Sequence, residues 1–347
     1  MSVTSGRYLL GGYTQAQAQG VRAQGVRGLG VVEVVDGRLG SPRVVAEADN
    51  PSWVVLAQDG RTVYAVAERE VGGVAGWRVG SGDDGPWERL GQVRSTGGAF
   101  PCHLALSADG RHLVVANYGS GSVSVHPVLA DGSVGERSEL VEHVGPPGPN
   151  RERQDGPHAH QVVVLDGYVL VCDLGLDAVI GYELSADGEL REVTRSRFSP
   201  GSGPRHLAPS GDGRTAWVVS ELTSTVVTCH VDGPTLTPVS SVSTRAPHLQ
   251  LDNLAAALLV SVDGSRVVAS NRGDDTVAVF DVEAGGGLRR DTLYAAGGHW
   301  PRDLAWGPGE ELLVAAERSD LVIRLDPADG GLSAVAWPQP TCLVRLD

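Results

Sequence analysis

The sequence contains little methionine and phenylalanine, with one and three copies among 347 residues. Glycine and proline are abundant instead, with 47 and 20 copies. These residues interrupt helices and permit sharp turns, so they are typical of many short strands joined by tight turns. The composition therefore indicates an all-β protein.

Long apolar runs and excess basic charge are also missing. No stretch approaches the run of roughly 18 or more apolar residues that spans a membrane, and the first residues, MSVTSGRYLL, lead directly into a strand pattern without the apolar core of a secretion signal. The formal net charge of −14 leaves no basic footprint for nucleic acids or anionic membranes. We therefore expect a cytoplasmic protein with neither of these partners.

Cysteines are few, and no two of them form a C-x-x-C pair. The four are Cys102, Cys172, Cys229 and Cys342. Cysteines so widely spaced indicate neither a disulfide framework nor a zinc site. We expect buried, reduced thiols, no bound metal and no cofactor.

An internal repeat organises the chain. Its first unit is a strand, a turn that usually contains Asp-Gly, and a returning strand, which together predict a β-hairpin. Six copies begin at Asn50, Phe100, Gly156, Gly203, Leu254 and Trp300. A second unit, an alternating apolar strand followed by a turn and a short strand, occurs seven times. The hairpins recur about every 46 to 57 residues, which suits a four-stranded propeller blade.

The two ends of the chain supply the missing hairpin. Residues 7–14, RYLLGGYT, resemble a returning strand without its partner, and residues 340–346, PTCLVRL, resemble a first strand without its return. Closing a ring within one blade pairs strand edges that would otherwise be exposed. A pair of β-sandwiches, the competing fold, does not predict such a split repeat. The sequence thus predicts that residues 1–347 form a single seven-bladed β-propeller.

Polar residues are concentrated at one end of the predicted hairpins, which corresponds to one mouth of the central channel. Counting back seven residues from each turn glycine gives Trp53, His103, His160, His206 and Ala257. The residues that close the second strands include Glu68, Asn117, Asp173, Glu221, Asn271, Arg272, Glu317 and Arg318.

Three further features lie on this rim. Arg205 and Arg302 directly follow a proline, and an extra residue in the fourth blade predicts a bulge that presents His158 beside His160. Single charged residues at strand ends are often only solvated pairs, and histidines often only satisfy a carbonyl. Different polar residues at otherwise repeated positions, however, are what a ligand site at a channel mouth requires.

Six segments resemble signature segments of the propeller lactonase family. They are RERQDGPHAHQ (151–161), CDLGLDAV (172–179), GSGPRHL (201–207), SEL (220–222), SNRGDDTVAVF (270–280) and GGHWPRDL (297–304). The resemblance extends over nearly the whole chain. The family includes bacterial 6-phosphogluconolactonases and is similar to fungal carboxymuconate-lactonizing enzymes, so the resemblance implies a lactone hydrolase.

The resemblance also implies an active site of one histidine, two arginines and one glutamate. Matching the motifs one by one places these roles on His158 or His160, Arg205, Glu221 and Arg272. The candidates for substrate binding around them are His103, Asn117, Asp173, His206, Asn271 and Arg302. This chain departs from the family at residues 256–258, where Ala-Ala-Leu replaces an Ala-Glu-Ile that relatives often carry, and the departure bears on substrate preference.

Lactone opening needs an activated water, a stabilised oxyanion and a proton for the leaving alkoxide. His160 or Glu221 can serve as the base, and Arg205 and Arg272 as clamps for the substrate anion and the oxyanion. We expect a small anionic lactone or carboxylate as ligand, and a monomer or weak homo-oligomer.

Two other functions remain open from the sequence. A cycloisomerase would use the same groups to hold a dicarboxylate and move a proton to carbon. A non-catalytic propeller would bind a protein partner through an apolar rim, although the rim positions here are charged.

Overall fold

The computed structural model describes residues 5–14, 28–80, 85–247, 252–328 and 330–347. Within these ranges the chain forms seven antiparallel sheets, six with four strands and one with five. The sheets are the blades of a seven-bladed β-propeller, which confirms the predicted fold class. No helix in the described part of the chain is long and apolar enough to cross a membrane.

The strands follow the predicted repeat in chain order. The closing blade and the second blade contain β1 (Ser5–Gly12), β2 (Leu29–Val35), β3 (Arg38–Leu39), β4 (Arg43–Ala46), β5 (Val54–Leu56), β6 (Thr62–Ala67), β7 (Gly73–Arg78) and β8 (Glu88–Ser95). The third and fourth blades contain β9 (Pro101–Leu106), β10 (His112–Asn117), β11 (Ser122–Pro127), β12 (Glu139–Glu142), β13 (Ala159–Leu165), β14 (Tyr168–Asp173), β15 (Ala178–Leu184) and β16 (Leu190–Arg197).

The remaining blades continue the same pattern. The fifth and sixth contain β17 (Pro204–Pro209), β18 (Thr215–Ser220), β19 (Thr225–Asp232), β20 (Thr235–Ser243), β21 (Leu254–Val260), β22 (Arg266–Arg272), β23 (Thr276–Val282) and β24 (Leu288–Ala295). The seventh contains β25 (Pro301–Trp306), β26 (Leu312–Ala316), a 3₁₀ helix (Glu317–Ser319), β27 (Leu321–Leu325) and β28 (Leu332–Ala336), and β29 (Pro340–Arg345) returns to the closing blade.

The six four-stranded blades are meanders, so strands that follow one another in the chain are neighbours in the sheet, and in the closing blade β4 pairs with β2. The first strand of every blade contacts the first strand of the next, and the series closes where β29 contacts β5. The core lies between adjacent blades, where apolar faces pack together. One such cluster joins Val114 of the third blade to Val171 and Tyr182 of the fourth.

The ring closes as the split repeat predicts. Strand β29 pairs with β1 in antiparallel register, with Leu9 opposite Val344 and Gly11 opposite Cys342. The closing blade also approaches the second blade closely, because a Cβ atom on Gly11 would lie 2.3 Å from the carbonyl oxygen of Pro51. A larger residue at this position would push the two blades apart.

Deleting residues 340–347 is expected to abolish cooperative folding, because the deletion exposes the edge of β1 and opens the ring of first strands. Thermal unfolding and size-exclusion chromatography would show aggregation or a broad, early transition. Removal of Asp347 alone is the matched control, and its midpoint should stay within about 4 °C of the full chain, the shift expected from roughly 1 kcal/mol or less. A truncated protein that unfolds like the full chain would refute closure as a source of stability.

Candidate active site

The first strand of six blades carries one extra residue at the predicted rim. In β17, Pro204 pairs with Ser220 and His206 pairs with Val219, which leaves Arg205 outside the ladder. The equivalent residues in four other blades are Cys102, His160, Arg302 and Thr341, and in β21 the shift falls between Ala255 and Leu258. A bulge redirects the extra side chain, so the chain brings His160, Arg205 and Arg302 to the same level of the ring.

This register corrects the predicted position of His160. Counting from the turn glycine aligns it with His206, but Gln161 is the residue at that level and His160 is the bulged one. The count fails because only two residues (166–167) connect the first two strands of the fourth blade, whereas five (210–214) connect those of the fifth. The predicted bulge therefore exists, but it is at His160.

The residues that close the second strands lie at two different levels of the channel, although the sequence places them in one group. Asn117, Asp173 and Asn271 form the last pair between the second and third strands of their blades. The residues that follow this last pair form a ring of their own, made of Glu68, Tyr118, Leu174, Glu221, Arg272 and Glu317. Asn117, Asp173 and Asn271 thus lie one level away from Glu221 and Arg272.

Three arginines surround Glu221. Its carboxylate lies 2.6 Å from Nη2 of Arg272, 3.1 Å from Nε of Arg205 and 2.5 Å from Nη2 of Arg153. The side chain of Glu221 is only 2% exposed. The three ion pairs join strands β17 and β22 to the loop before β13, so one carboxylate holds together groups from three parts of the ring.

The arginines determine the charge state of Glu221. Burial raises the pKa of its carboxyl, but the charges of Arg272, Arg153 and Arg205 outweigh burial and lower that pKa to about 2. Burial and the neighbouring Arg272 lower the pKa of Arg205 to about 9. Three guanidinium groups already occupy this carboxylate, so the structure favours Glu221 as the residue that orients the arginines over its alternative role as base.

His160 lies among these charges. Its pKa is lowered well below the usual value by burial and by Arg205, with further contributions from His206, Arg302 and Arg272. The ring is therefore neutral near pH 7. Its buried Nδ1 atom has no hydrogen-bond partner among the residues that the structure describes.

His158 is engaged elsewhere. Its Nδ1 atom lies 3.0 Å from the carbonyl oxygen of Tyr118, and its Nε2 atom lies 2.8 Å from Oδ1 of Asp155. The ring also stacks on Tyr118 with centroids 4.6 Å apart. Of the two histidines that the sequence leaves as alternatives, His160 is the one near the arginines, and His158 holds a loop.

The residues one level below the bulge link consecutive blades. Nδ1 of His103 accepts the backbone N–H of Val162 at 3.4 Å, and Oε1 of Gln161 accepts that of Leu207 at 2.5 Å. His206 contacts Nη1 of Arg205 at 3.2 Å. These contacts give His103 a structural role and place His206 next to the arginine cluster.

Asn117, Asp173 and Asn271 use their polar atoms inside the protein. Asp173 binds Nδ1 of His143 at 2.6 Å and accepts the backbone N–H groups of His158 and Leu176, each at 2.9 Å. Asn271 makes four hydrogen bonds, and Asn117 donates to a serine hydroxyl at 3.3 Å. These contacts tie down strand ends, and the substrate-binding role predicted for the three residues stays a prediction.

Arg302 belongs to a second polar group on the same rim. Its Nη1 atom lies 3.2 Å from Glu317, and its guanidinium lies 5.4 Å from the ring centroid of Tyr13. The Tyr13 hydroxyl donates to Glu68 at 3.0 Å, and burial raises the pKa of Glu68. Arg302 thus faces an acidic group, whereas Arg205 and Arg272 belong to a cationic one.

Two residues of the site are not among the candidates from the sequence. Arg153 lies within the segment RERQDGPHAHQ, but its loop connects two blades and has no counterpart in the repeat. Tyr118 follows β10, and its hydroxyl accepts a hydrogen bond from Arg153 at 3.3 Å. Tyr118 occupies the position in its blade that Glu221 occupies in the fifth blade. An alignment of the repeats would therefore have identified Tyr118 as a candidate.

The free energy of unfolding is expected to fall as the pH drops below about 6.5. Burial and Arg205 lower the pKa of His103 to about 3, and burial also holds the pKa of His206 well below its usual value. Unfolded histidine takes up a proton near pH 6.5 and the buried ring does not, so this contribution is complete above pH 6.5 and is lost on acidification. Each such histidine costs up to about 1.4 kcal/mol per pH unit.

Urea unfolding between about pH 7.5 and pH 5 measures this slope. His103→Gln is the matched variant. Glutamine can replace histidine here, because Gln161, at the equivalent position of the fourth blade, accepts the backbone N–H of Leu207 in the next blade. The variant should show a shallower pH dependence. A slope equal to that of the unmodified chain would contradict the assignment to His103.

Known proteins have this fold and a similar sequence. The family described as lactonase, 7-bladed beta-propeller, matches residues 7–344. The 6-phosphogluconolactonase of Bacillus subtilis (strain 168) is 33% identical over 322 residues, which cover 89% of this chain and 90% of that protein. The chain therefore belongs to the seven-bladed β-propeller lactonase family.

Two solved structures are also similar over their full length. The periplasmic gluconolactonase PpgL of Pseudomonas aeruginosa superposes with a TM-score of 0.88 at 31% identity, covering 99% of both chains. A candidate 6-phosphogluconolactonase of Bacteroides fragilis NCTC 9343 gives a TM-score of 0.87 at 29% identity, covering 99% of this chain and 98% of that one. The names of these relatives all specify a lactonase, but they differ in the lactone.

Proposed function

We propose that this protein hydrolyses a small anionic lactone, with 6-phosphogluconolactone as the leading substrate. The observation that carries the proposal is the carboxylate of Glu221 held by three arginines near a neutral histidine. Three positive charges and one negative charge leave a local excess of two on a protein whose net charge is −14. Such a site attracts anions and stabilises an oxyanion.

In this mechanism His160 acts as the base. Its imidazole accepts a proton from water while the water oxygen bonds to the lactone carbonyl carbon. It then returns the proton to the ring oxygen as the C–O bond breaks and the hydroxy acid leaves. A neutral imidazole is required for the first step, and the lowered pKa of His160 supplies one at neutral pH.

Arg205 and Arg272 stabilise the tetrahedral oxyanion. Arg205 binds the carbonyl oxygen of Ala256 through Nη1, and Arg272 binds those of Leu254 and Ala255 through Nε and Nη2. Nη2 of Arg205 and Nη1 of Arg272 make no hydrogen bond to any part of the chain that the structure describes. Two fixed guanidinium groups with an available nitrogen suit an oxyanion, because no reorganisation is needed when the charge develops.

The proposal is tested with purified protein and 6-phosphogluconolactone, without added metal. Spontaneous opening of the lactone is subtracted by running buffer and an equal amount of the Glu221→Gln variant in parallel. We expect hydrolysis well above both backgrounds. Equal rates for the unmodified chain and the variant would refute the proposed activity.

Unphosphorylated glucono-δ-lactone and a carboxymuconate lactone serve as further substrates in the same assay. The first is included because the Pseudomonas aeruginosa relative is named a gluconolactonase. Turnover of this neutral lactone alone would assign the chain to that specificity. Formation of a carboxymuconate lactone from the open acid would instead show cycloisomerase activity.

We also propose a cytoplasmic location. The four cysteines support it, because all of them are buried and free, and reduced thiols persist in the cytoplasm. The Pseudomonas aeruginosa relative is named periplasmic, so cell fractionation is the direct measurement. Recovery of the protein from the periplasmic fraction would contradict the proposal.

A further inference from the structure

Arg153 differs from the other two arginines around Glu221 in its exposure. The side chains of Arg205 and Arg272 are 2% and 6% exposed, whereas that of Arg153 is 32% exposed. Nη2 of Arg153 binds Glu221 and the hydroxyl of Tyr118. Its Nε and Nη1 atoms make no hydrogen bond within the described ranges, so one nitrogen of the guanidinium is fixed and two separate donors are available to a ligand.

The loop that carries Arg153 is held on both sides. Oδ1 of Asn150 accepts the backbone N–H of Arg153 at 3.2 Å. The side chain of Gln154 is buried and donates to the carbonyl oxygen of Leu174 at 2.8 Å and to Asp177 at 2.9 Å. A guanidinium on such a loop loses little conformational freedom when it binds a ligand.

The remaining donors indicate an anion. A guanidinium stays charged, and its unpaired N–H groups donate to the oxygens of a phosphate or carboxylate. Arg205 and Arg272 are buried and already bind backbone carbonyl oxygens and Glu221. An anionic group remote from the lactone carbonyl therefore meets Arg153 first.

We propose that Arg153 binds the anionic substituent of the substrate, a phosphate monoester in the leading case, and so determines the preference for charged over neutral lactones. The predicted effect of Arg153 on substrate preference rests on the proposed lactonase function. Its binding component does not depend on turnover, because the product acid retains the same phosphate group.

The test compares binding of 6-phosphogluconate and gluconate by titration calorimetry. The two ligands differ only in the phosphate, so the ratio of their dissociation constants isolates its recognition. We expect the unmodified chain to favour 6-phosphogluconate and Arg153→Gln to reduce that ratio by about tenfold or more, as for the loss of a charged hydrogen-bond pair. Arg153→Lys should restore only part of it, because the single ammonium of lysine cannot hold Glu221 and bind a ligand through separate nitrogens.

Arg151→Gln is the matched control, since Arg151 is an exposed arginine in the same loop. It removes the same charge and should leave the ratio unchanged. An unmodified chain without phosphate preference, or an Arg153→Gln protein that weakens both ligands equally, would overturn the proposal. Absence of lactone turnover in the unmodified chain would refute the proposed function separately, while the binding ratio would still decide the role of Arg153.

Discussion

Glu221→Gln is expected to reduce kcat for lactone hydrolysis by about a hundredfold or more, the scale of losing a preorganised oxyanion donor. Glutamine keeps the shape of the side chain but removes the charge that holds Arg153, Arg205 and Arg272. Breaking a buried ion pair from one side also leaves uncompensated charge, so the free energy of unfolding should fall by roughly 3–5 kcal/mol. Steady-state kinetics and urea unfolding measure the two effects.

The pH profile separates an orienting role for Glu221 from a role as base. Because its pKa is about 2, Glu221 stays ionised through the working range, and the residual activity of Glu221→Gln should keep the acid limb of the unmodified chain. Glu192→Gln, which removes an exposed glutamate paired with Arg195, is the control and should change kcat less than twofold. Loss of the acid limb in Glu221→Gln would show that Glu221 is the base after all.

His160→Gln is expected to reduce kcat by about a hundredfold to ten-thousandfold, the usual contribution of a general base. His158→Gln is the matched variant two residues away. Its ring nitrogens bind Asp155 and the carbonyl oxygen of Tyr118 rather than facing the arginines, so its effect on kcat should be much smaller. A larger loss in His158→Gln than in His160→Gln would reverse the assignment.

The lowered pKa of His160 predicts how activity changes on the acid side of the pH profile. A base works only when unprotonated, and burial together with Arg205 lowers the pKa of His160 well below its usual value. Activity should therefore persist below pH 6.5 and be lost only as the pH falls through that lowered pKa. A profile of kcat/KM that declines with a midpoint near 6.5, the ordinary value for histidine, would show that the ring is not buried among the arginines during catalysis.

The sequence alone predicted the architecture because a propeller is built from local repeats. Hairpin turns recur at a nearly constant interval, and a strand without a partner at each end of the chain can only be satisfied by closing the ring. It also identified Arg205, Glu221 and Arg272, which lie at or next to strand ends that the repeat aligns. These residues meet in the structure, around a single carboxylate.

The strand register of the fourth blade and the contacts of the loop that carries Arg153 became apparent only in the tertiary structure. A two-residue turn in the fourth blade shifts the count by one and exchanges His160 with Gln161, because a count from the turn glycine assumes turns of equal length in every blade. Arg153 lies in a loop outside the repeat, 68 residues from the glutamate that it binds. The sequence determines which residues can carry the chemistry, but ion pairs between distant segments depend on how consecutive blades pack around the channel, because this packing brings those segments to the same mouth.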